Sequence, residues 1–343
     1  MRVAQLVAPH RFNLVSGQIE NPGPGEVQVR VKMVGVCGSD LHNFSEGSVG
    51  DAPALFPMVL GHEPAGVVVG TGPGVSGWSP GDRAALEPAI YCYHCEYCRS
   101  GRHNVCNHIR FLSQPGDPGF FRDLVNLPAA NLLPLPPDLD LGEATLFEPL
   151  AIILHSMKLA EPRLGDTAAV FGAGPIGLLT IAILKLSGVR VWAVEPVAHR
   201  RELAIQMGAD ATIDPSAVDT VRQILADTGQ RGVDFAIDCA AKGGSLDQAI
   251  GAIRRAGRVV VTGIPSEVRV EFDFHTLRRK EGTLLSVRRS NHESDQALDL
   301  IKNHRALFAP MLTHTRPIED IEKAFFLLER YDDGVGKLII SLG

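Results

Sequence analysis

Four cysteines crowd into fifteen residues of this chain, Cys92, Cys95, Cys98 and Cys106, with the spacing C-x2-C-x2-C-x7-C. A loop this short can turn all four thiolates toward one tetrahedral ion. An all-sulfur shell favours zinc, at roughly 2.3 Å per bond. With every position taken by sulfur there is no opening for a substrate, so such a site is structural and its chemistry must lie elsewhere. Two disulfides are the competing reading, and they need an oxidising compartment. No charged-then-apolar leader follows Met1, and Cys37 and Cys239 stand apart from the loop, so a reducing, cytoplasmic setting is expected.

A chain of 343 residues exceeds one ordinary hydrophobic core, which predicts two domains. Apolar residues at 45% and charged residues at 21% exclude a solvated tail or a fibre. A formal net charge of −6 argues against nucleic acid as a partner. No apolar run reaches the length of a membrane span, so no membrane is expected either.

Three textures follow one another. Over residues 1–144 the chain is rich in Gly and Pro, with alternating runs such as Val27, Val29 and Val31, and reads as short strands joined by turns. Over 145–282 strand and helix alternate. Apolar strands are predicted at Ala168–Phe171, Val189–Val194, Val233–Ile237 and Arg258–Thr262. Helical spacing appears at Ile176, Leu179, Ile183 and Leu186, and again over His199–Met207 before a stop at Gly208. Ser216 and Asp219 suggest a capping box for a third helix. This rhythm implies an α/β fold with a doubly wound parallel sheet and right-handed crossovers. Residues 283–343 return to the first domain, beginning with a strand at Leu284–Val287 that borders the parallel sheet. Helices near Asp295–Lys302 and Ile318–Leu328 and a last strand, Lys337–Leu342, complete the chain. The alternation in Val268–Phe274 suggests an edge strand able to pair with a second subunit.

Gly172-Ala-Gly174-Pro175-Ile176-Gly177 is a GxGxxG run placed between a predicted strand and a predicted helix, with Pro175 in the first helical turn. Such glycines let the backbone approach a pyrophosphate, and the helix start offers free N–H groups. Glu195 ends the next strand, where a carboxylate accepts from both ribose hydroxyls and repels a 2′-phosphate. NAD is therefore expected over NADP, although Arg200 and Arg201 suit either adenosine. Arg200 and Thr262 complete the expected cofactor contacts.

Cys37, His62 and a carboxylate such as Glu148 make the ligand set of an open catalytic zinc, with Asp40 placed to hold an imidazole tautomer. Taken singly, Cys37 reads equally as a small buried side chain, His62 as a core histidine and Glu148 as an acidic helix start.

The order CGSDLH, GHE, four-cysteine loop, EPLA and GAGPIG resembles the zinc-dependent medium-chain dehydrogenase/reductase superfamily over essentially the whole chain. The resemblance implies a GroES-like catalytic domain built from both termini around a Rossmann domain. It assigns Cys37, His62 and Glu148 to the catalytic zinc and Glu63 to a nearby glutamate that exchanges with other ligands, leaving the resting ligand open between Glu63 and Glu148. Ser39 and His42 match the family's proton relay. Two zinc ions per chain are implied, one catalytic and one structural.

Three features are similar to the sorbitol-type polyol dehydrogenases: the glutamate at 148, the runs Gly81-Asp-Arg83…Glu87-Pro88 and Pro115-Gly-Asp117-Pro-Gly119, and Arg288 at a substrate-facing position. Asn43 and Arg289 depart from that pattern, where a tyrosine and an aromatic residue are expected. The stretch from Glu195 through Arg200 to Asp210 is also similar to the L-threonine 3-dehydrogenases. The resemblance thus implies oxidation of a secondary alcohol of a polyol, sugar or sugar acid to a ketone with hydride transfer to NAD, L-threonine 3-dehydrogenase being the rival. A non-catalytic cofactor binder of the same fold is a third reading, opposed by the presence of every expected ligand. A homodimer or homotetramer is expected, and Arg289 near a phosphorylated or acidic sugar is weighed against arginines that merely solvate the surface.

Overall fold

The computed structural model describes residues 1–343 and divides them into two compact units. The first comprises Met1–Glu148, Ser294–Arg305 and Leu312–Gly343; the second comprises Pro149–Glu293 and Ala306–Met311. No helix is long and apolar enough to cross a membrane.

The centre of the first unit is the strand Glu26–Gly35, whose Val27, Val29, Val31 and Val34 are all buried. Period-two alternation puts these side chains on one face, which is what makes the run a half-buried strand. It pairs antiparallel with Glu63–Thr71 on one side and with Lys337–Ser341 on the other. The carboxyl-terminal strand is thus built into the sheet begun by the amino-terminal residues. Arg83–Leu86 and Leu132–Pro134 extend one edge, Leu312–Pro317 the other, and Leu124–Pro128 also pairs with Glu26–Gly35. Phe12, Phe44, Phe121 and Phe325 pack beside this sheet with ring centroids 5.1–6.0 Å apart.

The second unit is a six-stranded sheet paired in parallel throughout. Its order is Ala211–Ile213, Arg190–Val194, Thr167–Phe171, Val233–Asp238, Ile253–Val261 and Thr283–Ser286. Numbered along the chain this is 3-2-1-4-5-6, the doubly wound arrangement in which ligands bind beyond the carboxyl ends of the strands. Helix Pro175–Leu186 buries every residue from Gly177 to Leu184, as a helix covering a parallel sheet must. The strand Thr283–Ser286 and the loop after it to Glu293 group with this unit rather than with the returning segment.

Two local expectations change. The cap of helix Thr220–Asp227 is Asp219 alone, whose carboxylate accepts from Arg222 N at 3.0 Å; Ser216 instead donates to Asp214 in the preceding turn. Val268–Phe274 is not a strand: Val268 and Val270 are exposed with no ladder partner, and Asp273 caps a helix that Phe274 begins. Alternation marks a strand only where another backbone supplies hydrogen bonds. The strands Ala211–Ile213 and Leu312–Pro317, too short or too polar to stand out in the sequence, were also missed.

Asp219→Ala is expected to cost about 1 kcal/mol through the lost cap, whereas Ser216→Ala stays within about 0.5 kcal/mol. Thermal unfolding midpoints of the two variants decide this.

Candidate functional site

Three strand ends meet at one end of the first unit's sheet. Gly35 lies opposite Glu63 in one ladder and opposite Ile339 in the next. Two residues past Gly35 the chain turns into helix Gly38–Glu46, with Cys37 at its N-cap position. Asp40, in the first turn, reaches back to accept from Cys37 N at 3.1 Å, which is half of a capping box. Its other oxygen accepts from Gly61 N at 3.1 Å and Ser113 Oγ at 3.0 Å and stands 3.4 Å from His62 Nδ1. Asp40 therefore fixes the loop on both sides of the cluster and turns His62 so that Nε2 is left for a ligand bond. The positive φ of Gly61, 90°, lets the chain make the turn that brings His62 there.

The ligand atoms of Cys37, His62 and Glu63 all lie within 4.8 Å of one another. His62 and Glu63 are buried, and Glu63 Oε1 has no hydrogen-bond partner. A carboxylate oxygen is rarely left so at this depth unless something else is meant to meet it. A thiolate, an imidazole and a carboxylate are a donor set that zinc accepts with a position to spare, so these residues fit the ion. Glu148 is also buried, in the first turn of helix Phe147–Ala160, and its Oε2 lacks a partner. It lies outside the tight group of three.

Electrostatics follow from the burial. Burial pushes the Glu148 carboxyl up to about 8, with Glu63 and Glu87 adding to the shift and His62 and Lys337 opposing it. Burial by itself lowers the His62 pKa, but Asp40 and Cys37 outweigh it and hold the imidazole well above its ordinary value. For Asp40, burial raises the carboxyl, and His62 and the Cys37 and Gly61 amides pull it below the usual range.

Lys337 was not foreseen. Its side chain is fully buried; it forms an ion pair with Glu63 Oε2 and donates to Val36 O at 3.0 Å. No local motif announces it, because it enters from the last strand.

The four-cysteine loop folds as a second cluster. Sγ atoms of Cys92, Cys95, Cys98 and Cys106 fall within 4.8 Å of one another, with closest separations of 3.4–3.9 Å. A zinc tetrahedron with bonds near 2.3 Å has edges of about 3.8 Å, so the loop fits the ion. All four are free thiols. Backbone N–H groups of Cys95, Cys98 and His108 point at Cys92, Cys95 and Cys106 sulfurs. The Cys98 amide is the chief reason the Cys95 thiol is lowered to about 6.

In the second unit the glycine run joins strand Thr167–Phe171 to helix Pro175–Leu186, with Gly174 at the N-cap and Pro175 in the first turn. Gly172 has φ 88°, and a Cβ on Gly177 would overlap the Gly172 carbonyl oxygen. No side chain caps this helix, so its first amides stay available to a phosphate. Glu195 is buried; Oε2 accepts from Ala173 N at 2.7 Å and Oε1 from Val197 N at 3.0 Å. The carboxylate is thereby tied to the glycine loop itself, a cradle that fits a dinucleotide.

Arg200 is buried with its guanidinium near Gly174. Arg201 donates to the Glu195 and Pro196 carbonyls and pairs with Asp214 at 3.2 Å. Thr262 shares a 2.9 Å contact with Ser156 Oγ, and its amide donates to Asp238 O. Ile176 is half-buried in the first helical turn. Ser39 and His42, three residues apart, share a face of helix Gly38–Glu46, and His42 Nδ1 lies 3.0 Å from Glu46 Oε1. Arg288 is exposed on the loop after Thr283–Ser286, and Arg289 beside it is half-buried with φ 54°.

Residues 23–137 match the alcohol dehydrogenase GroES-like domain, and residues 175–303 match the zinc-binding dehydrogenase domain. Sorbitol dehydrogenase of Bacillus subtilis is 36% identical over 245 residues, 71% of this chain and 69% of that protein. The chain belongs to the zinc-dependent medium-chain dehydrogenase/reductase superfamily. L-threonine 3-dehydrogenase of Pyrococcus horikoshii is 37% identical over 262 residues, 76% of this chain and 75% of that protein. An alcohol dehydrogenase from E. coli CFT073, solved in complex with NADH, matches with a TM-score of 0.90 at 29% identity, covering 100% of this chain and 99% of that one. The enzyme is thus a zinc-dependent alcohol dehydrogenase of the polyol-dehydrogenase-like kind, linked to NAD(P).

A raised carboxyl holds its proton in the folded state at pH values where the unfolded chain has lost it, so folding takes up a proton between the two pKa values. For Glu148 the window runs from about 4.5 to about 8, and stability falls as pH rises across it. His62, also raised, works in the same direction from its ordinary 6.5 upward. Chelator-treated enzyme is expected to lose on the order of a few kcal/mol of stability between pH 5 and pH 8. Glu148→Gln removes its share of that slope, as denaturant titrations at the two pH values will report.

Proposed function

We propose that the enzyme oxidises a secondary alcohol of a polyol, sugar or sugar acid to the ketone, passing hydride to NAD. The observation that carries this reading is the group of Cys37, half-buried, with His62 and Glu63, both buried, and with Glu148 coupled to them electrostatically. In the proposal these four residues hold a catalytic zinc, with Glu63 and Glu148 alternating as its carboxylate ligand, and Cys92, Cys95, Cys98 and Cys106 hold a structural one. Zinc bound there supplies Lewis acidity that brings a hydroxyl's pKa toward neutrality.

The chain's own residues supply the rest. Oxidation removes a proton from the hydroxyl and a hydride from its carbon. The proton passes by way of Ser39 Oγ to His42, whose imidazole is part-exposed and can release it to water. A carboxylate-rich pocket accepts hydrogen bonds from a vicinal hydroxyl, which favours a polyol over a simple alcohol. Arg288, exposed and cationic, keeps the substrate-facing role that the resemblance implies, for which a guanidinium suits a hydroxyl or a carboxylate.

For the dinucleotide, Gly172, Gly174, Pro175, Ile176 and Gly177 cradle the pyrophosphate, and Glu195 faces the adenosine ribose. NAD is favoured over NADP because the Glu195 carboxylate is pinned by two amides and cannot swing from a 2′-phosphate. Arg201 is already committed to Asp214 and two carbonyls. Arg200 and Thr262 complete this site. The same reading takes the enzyme as a cytoplasmic homodimer or homotetramer. L-Threonine 3-dehydrogenase activity is the second reading, favoured by the stretch from Glu195 to Asp210.

Initial rates of NAD reduction over sugar alcohols, aldonates and L-threonine test the proposal. A polyol or aldonate is expected to turn over, with chelation abolishing and zinc restoring the rate, and Cys37→Ser losing both metal and turnover. NADP is expected to serve at least about tenfold less well, a gap that Glu195→Ala narrows. Turnover of L-threonine alone would hand the assignment to the second reading.

A further inference from the structure

A lysine with no exposed side-chain surface is rare unless paired, and Lys337 is placed with unusual economy. Its Nζ bridges Glu63 Oε2 and the carbonyl of Val36, the residue directly before Cys37. It comes from the strand Lys337–Ser341 and crosses the position of Gly35 to reach Glu63. Gly35 is what leaves the crossing open: a Cβ there would overlap Glu63 Oε2 and lie 3.0 Å from Lys337 Cε. The other Glu63 oxygen has no hydrogen-bond partner. One oxygen is therefore tethered by the lysine, and the other is left without a partner in a residue grouped with Cys37 and His62.

We propose that Lys337 is a positioning residue which, through the gap at Gly35, restricts Glu63 to a one-oxygen and readily exchanged bond to the metal. The inference rests on the reading of Cys37, His62 and Glu63 as metal ligands. Its physical content is twofold. The ammonium group occupies the lone pairs Glu63 would need to chelate the ion with both oxygens. It also sets a positive charge beside a divalent cation in a dry site, which weakens the hold of an otherwise heavily anionic pocket. Glu63 then gives way when the substrate hydroxyl or Glu148 takes its place. Without Lys337, Glu63 closes onto the metal and the open position is lost.

Metal release to a chelator tests this without reference to turnover. The wild-type enzyme should release metal in two phases, and the one missing from Cys37→Ser identifies the catalytic site. In Lys337→Met that phase is expected to slow by about tenfold, since a positive charge near the ion is gone. The visible spectrum of the cobalt(II) form should shift as the coordination changes. Lys337→Arg keeps the cation and should restore both readouts. Gly35→Ala leaves every charge in place but forces Glu63 and Lys337 apart, so it should move release and spectrum in the same direction as Lys337→Met. If Lys337→Met does not fold, Gly35→Ala decides alone.

Wild-type release and spectrum in both variants would overturn the inference, as would faster release in either. Slow release in Lys337→Met with Gly35→Ala unchanged would also overturn it, because Lys337 would then act only as a bulk charge. A wild-type enzyme with no phase that Cys37→Ser removes would instead overturn the ligand assignment beneath it.

Discussion

A carboxylate can be kept out of water only if something cationic or strongly hydrogen-bonding goes with it, and the first unit is organised around that requirement. Asp40, Glu63 and Glu148 are all buried at one end of its sheet. Each is answered differently. Asp40 takes amides and a hydroxyl and leans on His62. Glu63 takes a lysine from the far end of the chain. Glu148 is left with an unpartnered oxygen and a raised pKa. The pairing of Lys337–Ser341 with Glu26–Gly35 is therefore more than a way to close a sheet. It delivers the cation that answers the Glu63 carboxylate where a thiol and an imidazole share the same small volume.

The second unit meets a related demand with backbone alone. A dinucleotide's pyrophosphate must come close to the main chain, which forbids side chains at Gly172 and Gly177. The Gly172 carbonyl already occupies the space a Cβ on Gly177 would take. Glu195, directly after the neighbouring strand Arg190–Val194, receives the loop amide of Ala173 and that of Val197. The Glu195 carboxylate and the shape of the phosphate loop are consequently coupled: moving the carboxylate would release the loop.

What could be read in the sequence is what lies close together in it. The cysteine loop, the Cys37–His42 and Gly61–Glu63 runs and the glycine loop each pack their chemistry into a few residues, and local geometry carries them to the site. Asp40 was legible as a partner for an imidazole because it sits within the Cys37–His42 run, whereas its bond to the Cys37 amide, one helical turn back, emerges only from the fold. Lys337 was not, because nothing around it in sequence distinguishes a buried lysine from a solvated strand end. The alternation of Val268–Phe274 misled for the opposite reason: the pattern was present but the neighbouring backbone was not. Asp219 displaced Ser216 because a cap is chosen by which side chain reaches the third amide of the turn, a matter of one residue that spacing alone blurs.

Glu63 and Glu148 could not be ranked as ligands from sequence, since both sit in motifs that admit the role. The fold gives them unequal environments. Glu63 lies with Cys37 and His62 and is tied to a cation, whereas Glu148 stands outside that group and is held toward its protonated form by burial. A carboxyl that burial holds toward its neutral form ionises more readily once a divalent ion stands beside it. The two glutamates are thus not redundant. One is grouped with Cys37 and His62 and tied to a lysine, and the other is pushed toward its protonated form by burial, an asymmetry that fits the exchange of ligands proposed for this site.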